Sequence, residues 1–264
     1  MSVTEPSQLV HAYGPQVHIL KSPFHETLLA RLCAPETFQP EINNLVSHLY
    51  QQLLVSAMNQ EFPRERFTAP TRMTEFHPDQ KLSGERLQRE QSAIVVNIMR
   101  AGTYPSHVCY ETLLSVLDQK VVRQDHIFAA RVTDSANHVT GTAISATKIG
   151  GGKEGSMVIF PDPMGATGHT MVTAMSYYKE KVPGKARKMI GLHLIVTPEY
   201  LRQVLQAHPE TVIYALRLDR GLSDEAILRT PPGTHWFQER GLNEKGYIVP
   251  GGGGFGEIMN NSFV

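Results

Sequence analysis

The sequence predicts an α/β fold with a mostly parallel central sheet and flanking helices. Two observations carry that expectation. Continuous apolar runs such as Ala93–Met99 and Lys188–Val196 alternate with helix-like stretches between residues 93 and 218, and strands buried on both faces read in that way. The two loops most suggestive of ligand binding come directly after such runs, and in open parallel sheets ligands collect at the carboxyl ends of strands. The chain of 264 residues is long enough for one large domain of this kind.

Taken in order, residues 1–35 mix apolar and turn residues and give little signal. From 40 to 62 apolar residues recur at Ile42, Leu45, Val46, Leu49, Leu53 and Ala57, the spacing of a long amphipathic helix. Residues 63–91 are polar and carry Pro63, Pro70 and Pro78, which predicts a surface loop or hairpin excursion. The strand at 93–99 ends at Arg100-Ala101-Gly102, and a helix over 105–118 turns Val108, Leu113, Leu114 and Leu117 to one side. Alternating, β-branched residues over 126–149 suggest a hairpin or mobile arm. A strand over 156–160 delivers the chain into Asp162-Pro163-Met164-Gly165-Ala166-Thr167-Gly168-His169-Thr170, and a helix runs on from about 171 to 181. A strand over 188–196, a helix over 198–207 and a strand over 211–218 complete the alternation.

Composition excludes several functions. Lys plus Arg and Asp plus Glu are 25 each, so no global field recruits nucleic acid or an anionic membrane. The two cysteines, Cys33 and Cys109, stand outside any zinc-ligand spacing, and Cys109 lies in an apolar helical stretch as a packing residue. The first residues lack a signal-peptide pattern, and no apolar run nears the ~20 residues that span a bilayer. The expected location is cytoplasmic.

The loop over 162–170 is the most informative stretch. A Gly/Thr-rich turn between a buried strand and a helix directs backbone N–H groups and hydroxyls at one place, where the helix dipole favours an anion. The acid before it is placed to hold sugar hydroxyls or a metal-bound ligand. Together they outline a phosphorylated sugar site, although such a turn also serves as a plain connection. No Lys succeeds the glycine, so this is not a Walker loop. Gly150-Gly151-Gly152-Lys153 continues with Glu154 rather than Ser or Thr and reads as a hinge.

Asp162-Pro163-Met164-Gly165-Ala166-Thr167-Gly168 resembles the phosphoribosyl-pyrophosphate loop of uracil phosphoribosyltransferases. Val96-Asn97-Ile98-Met99-Arg100-Ala101-Gly102 is similar to that family's strand and pyrophosphate loop. Ala207-His208-Pro209-Glu210 with Ile213-Tyr214, and the run from Gly241-Leu242-Asn243-Glu244-Lys245-Gly246 to Tyr247-Ile248-Val249-Pro250-Gly251, also resemble the family. The four matches come in the family's order and cover about residues 92–258.

The resemblance implies a Rossmann-like type I phosphoribosyltransferase fold with a β-arm and a small hood. It implies transfer of the phosphoribosyl group from 5-phosphoribosyl 1-pyrophosphate to uracil, giving UMP and pyrophosphate in pyrimidine salvage. Asp162, Arg100 and Arg131 would be the catalytic residues: the acid holds the ribose hydroxyls and the two arginines meet pyrophosphate, Arg131 from the base of the arm. Ala101 and Gly102 would offer N–H groups to pyrophosphate, and Gly165, Ala166, Thr167, Gly168, His169 and Thr170 would cradle the 5′-phosphate. Thr170 also fits a helix N-cap. A non-proline cis peptide is expected beside the 100–102 loop. Mg²⁺ would arrive with the pyrophosphate, few or no ligands coming from the protein. Lys148, Lys153 and Arg72 are weaker candidates, Arg72 for a partner's site in a homodimer or higher homo-oligomer.

The chain departs from the family at the base-binding segment. Tyr247, Ile248, Gly253, Gly254, Phe255 and Glu257 are the candidates there, but Gly254 stands where the family has a first acid and Glu257 where it has the second. The alternatives are another nucleobase as acceptor, or a relative that holds phosphoribosyl pyrophosphate or UMP without turnover. Residues 222–240 read as an insertion. A single domain is therefore expected: an N-terminal helical segment and excursion (1–91), a core sheet (92–221), the insertion, and a base-binding segment (241–264).

Overall fold

The computed structural model of the protein describes residues 7–133 and 139–263, with side chains over 8–129 and 143–263. The chain begins with β1 (Ser7–Gln8), β2 (Val17–Lys21), α1 (Pro23–Leu32) and α2 (Glu41–Glu61). Next come β3 (Arg64–Ala69), a 3-10 turn (Arg72–Glu75), β4 (Leu82–Leu87), β5 (Ala93–Met99) and α3 (Thr103–Leu114). The arm is β6 (Val122–Thr133) and β7 (Val139–Lys148), succeeded by β8 (Met157–Pro161), β9 (Met164–Gly165) and α4 (His169–Lys181). The last elements are β10 (Lys188–Val196), α5 (Pro198–Ala207), β11 (Val212–Leu218) and two single turns, α6 (Glu225–Leu228) and α7 (Phe255–Ile258).

Among the described residues the main sheet runs β1-β2-β11-β10-β8-β5-β6-β7, with β9 on β10. From β2 to β6 every neighbouring pair is parallel, and only the two edges are antiparallel. The expected mostly parallel sheet is therefore present, and β5, β10 and α5 lie where the sequence pattern puts them. The described part of the N-terminal stretch, residues 7–35, is weak in pattern but contributes more than expected. β2 extends the parallel sheet beside β11, and α1 is started by Ser22, whose hydroxyl accepts from His25 N at 3.2 Å with Pro23 in the first turn.

The two faces bury separate cores. Leu49, Tyr50, Leu53 and Leu54 of α2 and Val108, Cys109 and Leu113 of α3 pack on one face, with Ala93 and Val95 of β5. Met171, Ala174, Met175 and Tyr178 of α4 and Leu201 and Val204 of α5 cover the other, with Ile94, Val96 and Ile98. β5 is thus apolar on both sides, which is why its sequence runs without alternation. The excursion is a hairpin: β3 and β4 pair antiparallel over Arg64↔Leu87 to Ala69↔Leu82, with Arg72 exposed in the turn.

Strand order locates the site. β5 leads through α3 to β6 on one side, whereas β8, its other neighbour, leads away through α4 to β10. Adjacent strands whose connections diverge leave a crevice at their carboxyl ends. Arg100 comes directly after β5 and Asp162 directly after β8, so both loops open at that crevice.

Candidate active site

The acid at the end of β8 is held by its backbone on two sides. Asp162 N donates to Leu192 O at 3.0 Å, and Asp162 O accepts from His193 Nδ1 at 2.6 Å. Its carboxylate, half-buried, accepts from Met164 N at 3.1 Å and closes an Asx turn. Because a carbonyl only accepts, His193 carries its proton on Nδ1, and Nε2 accepts from the Tyr200 hydroxyl at 2.6 Å. Complete burial pushes the His193 pKa down to about 4, so the ring is neutral near pH 7.

The loop after this acid is supported by α5. Thr197 N donates to Gly165 O at 3.0 Å, and the Thr197 hydroxyl donates to Ala166 O at 2.7 Å while accepting from Tyr200 N at 3.0 Å. A Cβ at Gly165 would lie 2.9 Å from Val196 Cγ1 and 3.0 Å from the Tyr200 ring, so the loop packs too closely for a side chain. Gly168 takes φ 86° and is the N-cap of α4; the N-cap reading of Thr170 is thereby corrected, since Thr170 lies inside the first turn. Gly168 brings no side chain to the helix end and makes no side-chain cap bond, and the positive end of the helix dipole there favours an anion. Thr167 and His169 are exposed beside it and Thr170 is half-buried.

The second loop meets the first directly. The Met99–Arg100 peptide is cis, as the resemblance implies. A Cβ on buried Gly102 would stand 2.7 Å from Ile98 O and 2.9 Å from Pro161 O, so the backbone after β5 lies against the end of β8. Arg100 is exposed, and its Nη1 donates to Ser262 O at 3.2 Å and Ser262 Oγ at 2.9 Å. A Cβ at Gly256 would touch Ala101 Cβ at 3.6 Å, so α7 also covers this loop.

The segment after residue 241 lies beside the crevice. Val249 N donates to Gly241 O at 2.8 Å and Gly221 N to Val249 O at 3.1 Å, while Asn243 Oδ1 accepts from Lys245 N and Tyr247 N at 3.0 and 2.9 Å. The Gly246 turn borders the 162–170 loop, 3.7 Å separating the place of a Gly246 Cβ from Thr167 Cγ2. Tyr247 is exposed, Ile248 half-buried and Phe255 buried. At Gly254 a Cβ would lie 2.7 Å from Glu257 Oε2. The Glu257 carboxylate thus fills the space that a side chain at 254 would enter.

Not every sequence candidate joins this site. Arg131 pairs with Thr142 across the arm, but its side chain lies outside the described residues. Lys153 does not face the crevice: it is buried, and its Nζ donates to the carbonyls of Val182 and Lys179 at the end of α4, where a cation complements the helix dipole. The glycines before it are pinned rather than hinged, since Arg123 donates to Gly152 O at 2.8 Å and Gly151 O at 3.1 Å, and Asp125 accepts from Gly150 N at 2.9 Å. Lys148 is exposed on the arm. No group of three His, Cys, Asp or Glu among the described residues is placed to hold a metal. His193, Tyr200, Thr197 and Ser262 support the loops without any local signature, because each acts from a distant element.

A family model for uracil phosphoribosyltransferase matches residues 19–235, most of the chain but not the glycine-rich segment. The uracil phosphoribosyltransferase of Agrobacterium fabrum is 35% identical over 103 residues, 39% of this chain and 38% of that protein, so the match spans well under half of that relative. The Haloarcula marismortui uracil phosphoribosyltransferase is 28% identical over 177 residues, 66% of this chain and 67% of the relative. The solved structure of the AQ2163 protein from Aquifex aeolicus has a TM-score of 0.68 at 21% identity, covering 92% of this chain and 97% of that one, a likeness of fold.

Proposed function

Because this chain belongs to the uracil phosphoribosyltransferase family, we propose that it transfers the phosphoribosyl group of 5-phosphoribosyl 1-pyrophosphate to uracil, releasing UMP and pyrophosphate. One observation carries the reading. The 100–102 and 162–170 loops open side by side at the carboxyl ends of β5 and β8, in contact where Gly102 meets Pro161 O. A ligand with an anion at each end and a polyol between them fits that pairing.

In this reading the departing pyrophosphate meets the Arg100 guanidinium and the Ala101 and Gly102 N–H groups, and Arg131 approaches it from the arm. Asp162 accepts hydrogen bonds from the ribose hydroxyls. The α4 N-terminus with Ala166, Thr167, Gly168, His169 and Thr170 holds the 5′-phosphate, and Gly165 lets the loop pack closely behind them. As the bond from C1 to pyrophosphate breaks, positive charge develops on the ribose ring, and catalysis consists of fixed positioning and charge stabilisation. Mg²⁺ would arrive with the pyrophosphate substrate, and Arg100 would join it in offsetting the negative charge of the pyrophosphate. Backbone groups of Tyr247, Ile248, Gly253 and Gly254 read the base edge, with buried Phe255 packed behind Gly252. A cytoplasmic homodimer or higher homo-oligomer, acting on small molecules and without nucleic acid or membrane partners, completes the proposal.

The Glu257 carboxylate beside Gly254 favours one second reading, a different nucleobase as acceptor. The test is incubation with phosphoribosyl pyrophosphate, Mg²⁺ and radiolabelled uracil or, in parallel, each of the other radiolabelled nucleobases, with products separated by chromatography. Labelled UMP supports uracil transfer. Turnover with another base alone supports the second reading, and tight binding of phosphoribosyl pyrophosphate without turnover of any base overturns both.

A further inference from the structure

Arg217 and Asp219, at the end of β11, hold both backbone groups of Gly251. Arg217 Nη2 donates to Gly251 O at 2.8 Å, and Asp219 Oδ2 accepts from Gly251 N at 2.8 Å. The two side chains are themselves joined as a fork, Nε to Oδ1 at 2.7 Å and Nη2 to Oδ2 at 2.8 Å. Guanidinium, carboxylate and the Gly251 peptide groups thus close a ring of charge-assisted bonds. Asp219 and Gly251 are buried and Arg217 is half-buried, so water is a poor substitute for either contact.

This clamp grips the chain at the entrance to the glycine loop. Gly251 has φ 62° and approaches the chain so closely that a Cβ would lie 2.2 Å from Ile248 O. Gly252, Gly253 and Gly254 then carry no side chains by which the loop could anchor itself, and glycine loses the most freedom on being ordered. Order must come from outside. The Cys33 thiol, 3.6 Å from Arg217 Nη1, adds a wall: a Cβ at Gly252 would meet Cys33 Sγ at 2.8 Å.

We propose that Arg217 and Asp219 are positioning residues for the acceptor base: by fixing Gly251 they order the glycine loop before the base arrives and set the KM for the base, without touching the phosphoribosyl donor. This rests on the base site assigned under Proposed function. Preorganisation of this kind lowers the cost of binding rather than adding contacts.

The test compares Asp219→Asn and Arg217→Lys with the parent protein by steady-state kinetics and by amide hydrogen exchange of the free protein. Asp219→Asn removes the negative charge and turns an N–H donor toward Arg217 Nε, and Arg217→Lys removes the fork, so each variant weakens the ring at similar side-chain size. The expected result is a KM for the base raised about tenfold, as for loss of one buried charge-assisted bond, with kcat and the KM for phosphoribosyl pyrophosphate within about twofold. Exchange over 249–254 quickens while the rest of the chain is unchanged. Unaltered exchange over 249–254 overturns the proposal, as does faster exchange throughout the protein or a parallel loss for both substrates. If the parent protein turns over no base at all, the functional reading fails on that result, and exchange over 249–254 still decides whether the clamp orders the loop.

Discussion

Arg100 and Ser262, 162 positions apart, meet where the C-terminal segment crosses the end of β5, through Arg100 Nη1 bonds of 2.9 Å to the hydroxyl and 3.2 Å to the carbonyl oxygen. The guanidinium assigned to pyrophosphate is therefore already engaged by a neutral partner. Ser262→Ala removes the shorter bond and leaves the other. Product inhibition by pyrophosphate should strengthen about two- to fivefold, a modest change because the contact is exposed, and inhibition constants against phosphoribosyl pyrophosphate check it. An unchanged constant would show that Ser262 does not compete for Arg100.

Asp162→Asn keeps an oxygen to accept from Met164 N but removes the negative charge offered to the ribose. A loss of about 10²- to 10³-fold in kcat is expected, the scale of deleting one group that stabilises developing charge. The thermal midpoint should stay close to that of the parent. Near-normal turnover would remove the residue from its assigned role.

Acid should destabilise the protein in a defined window. His193 has its pKa lowered by burial from 6.5 to about 4, so between those values the unfolded chain binds a proton that the folded chain does not. Stability therefore falls as pH falls from about 6.5, approaching a slope of about 1.4 kcal/mol per pH unit for this group, and levels off below about 4. Burial lowers the pKa of His11, His18 and His25 in the same direction. Urea midpoints at a series of pH values would show the trend, and His193→Asn should flatten part of it.

A buried acid gathers several contacts of the 222–240 segment. Glu239 pairs with Arg220 Nη1 at 3.0 Å, accepts from Gly233 N at 2.8 Å and accepts from the Tyr13 hydroxyl. Glu239→Ala leaves half-buried Arg220 with only the carbonyls of Ile227, Leu228 and Thr230 and should cost about 2–3 kcal/mol, read as a lower denaturant midpoint. A cost below about 1 kcal/mol would mean that the segment is held chiefly by other contacts such as Trp236 Nε1 to Pro198 O at 2.8 Å.

Much of the architecture is legible in the sequence because its signals are local. β5, β10 and α5 declare themselves by runs or spacings contained within the element, and the 162–170 loop by a strand, an acid and glycines in succession. β2 is not legible: its five residues depend on pairing with Ile213, Tyr214 and Ala215 of β11 for their place in the sheet. Lys153 escapes a local reading for the same reason, since its partners at the end of α4 lie 26 and 29 positions away.

At the site the division is similar. Residue order alone specifies the two candidate loops and the alternation that sets them at strand ends, because backbone conformation and burial pattern depend on neighbouring residues. Folding in three dimensions adds that β5 and β8 are adjacent, that Gly102 lies against Pro161, that Glu257 fills the space beside Gly254, and that Arg217 and Asp219 hold Gly251. Those contacts depend on strand order and chain return, and short-range pattern carries no information about which distant side chain arrives.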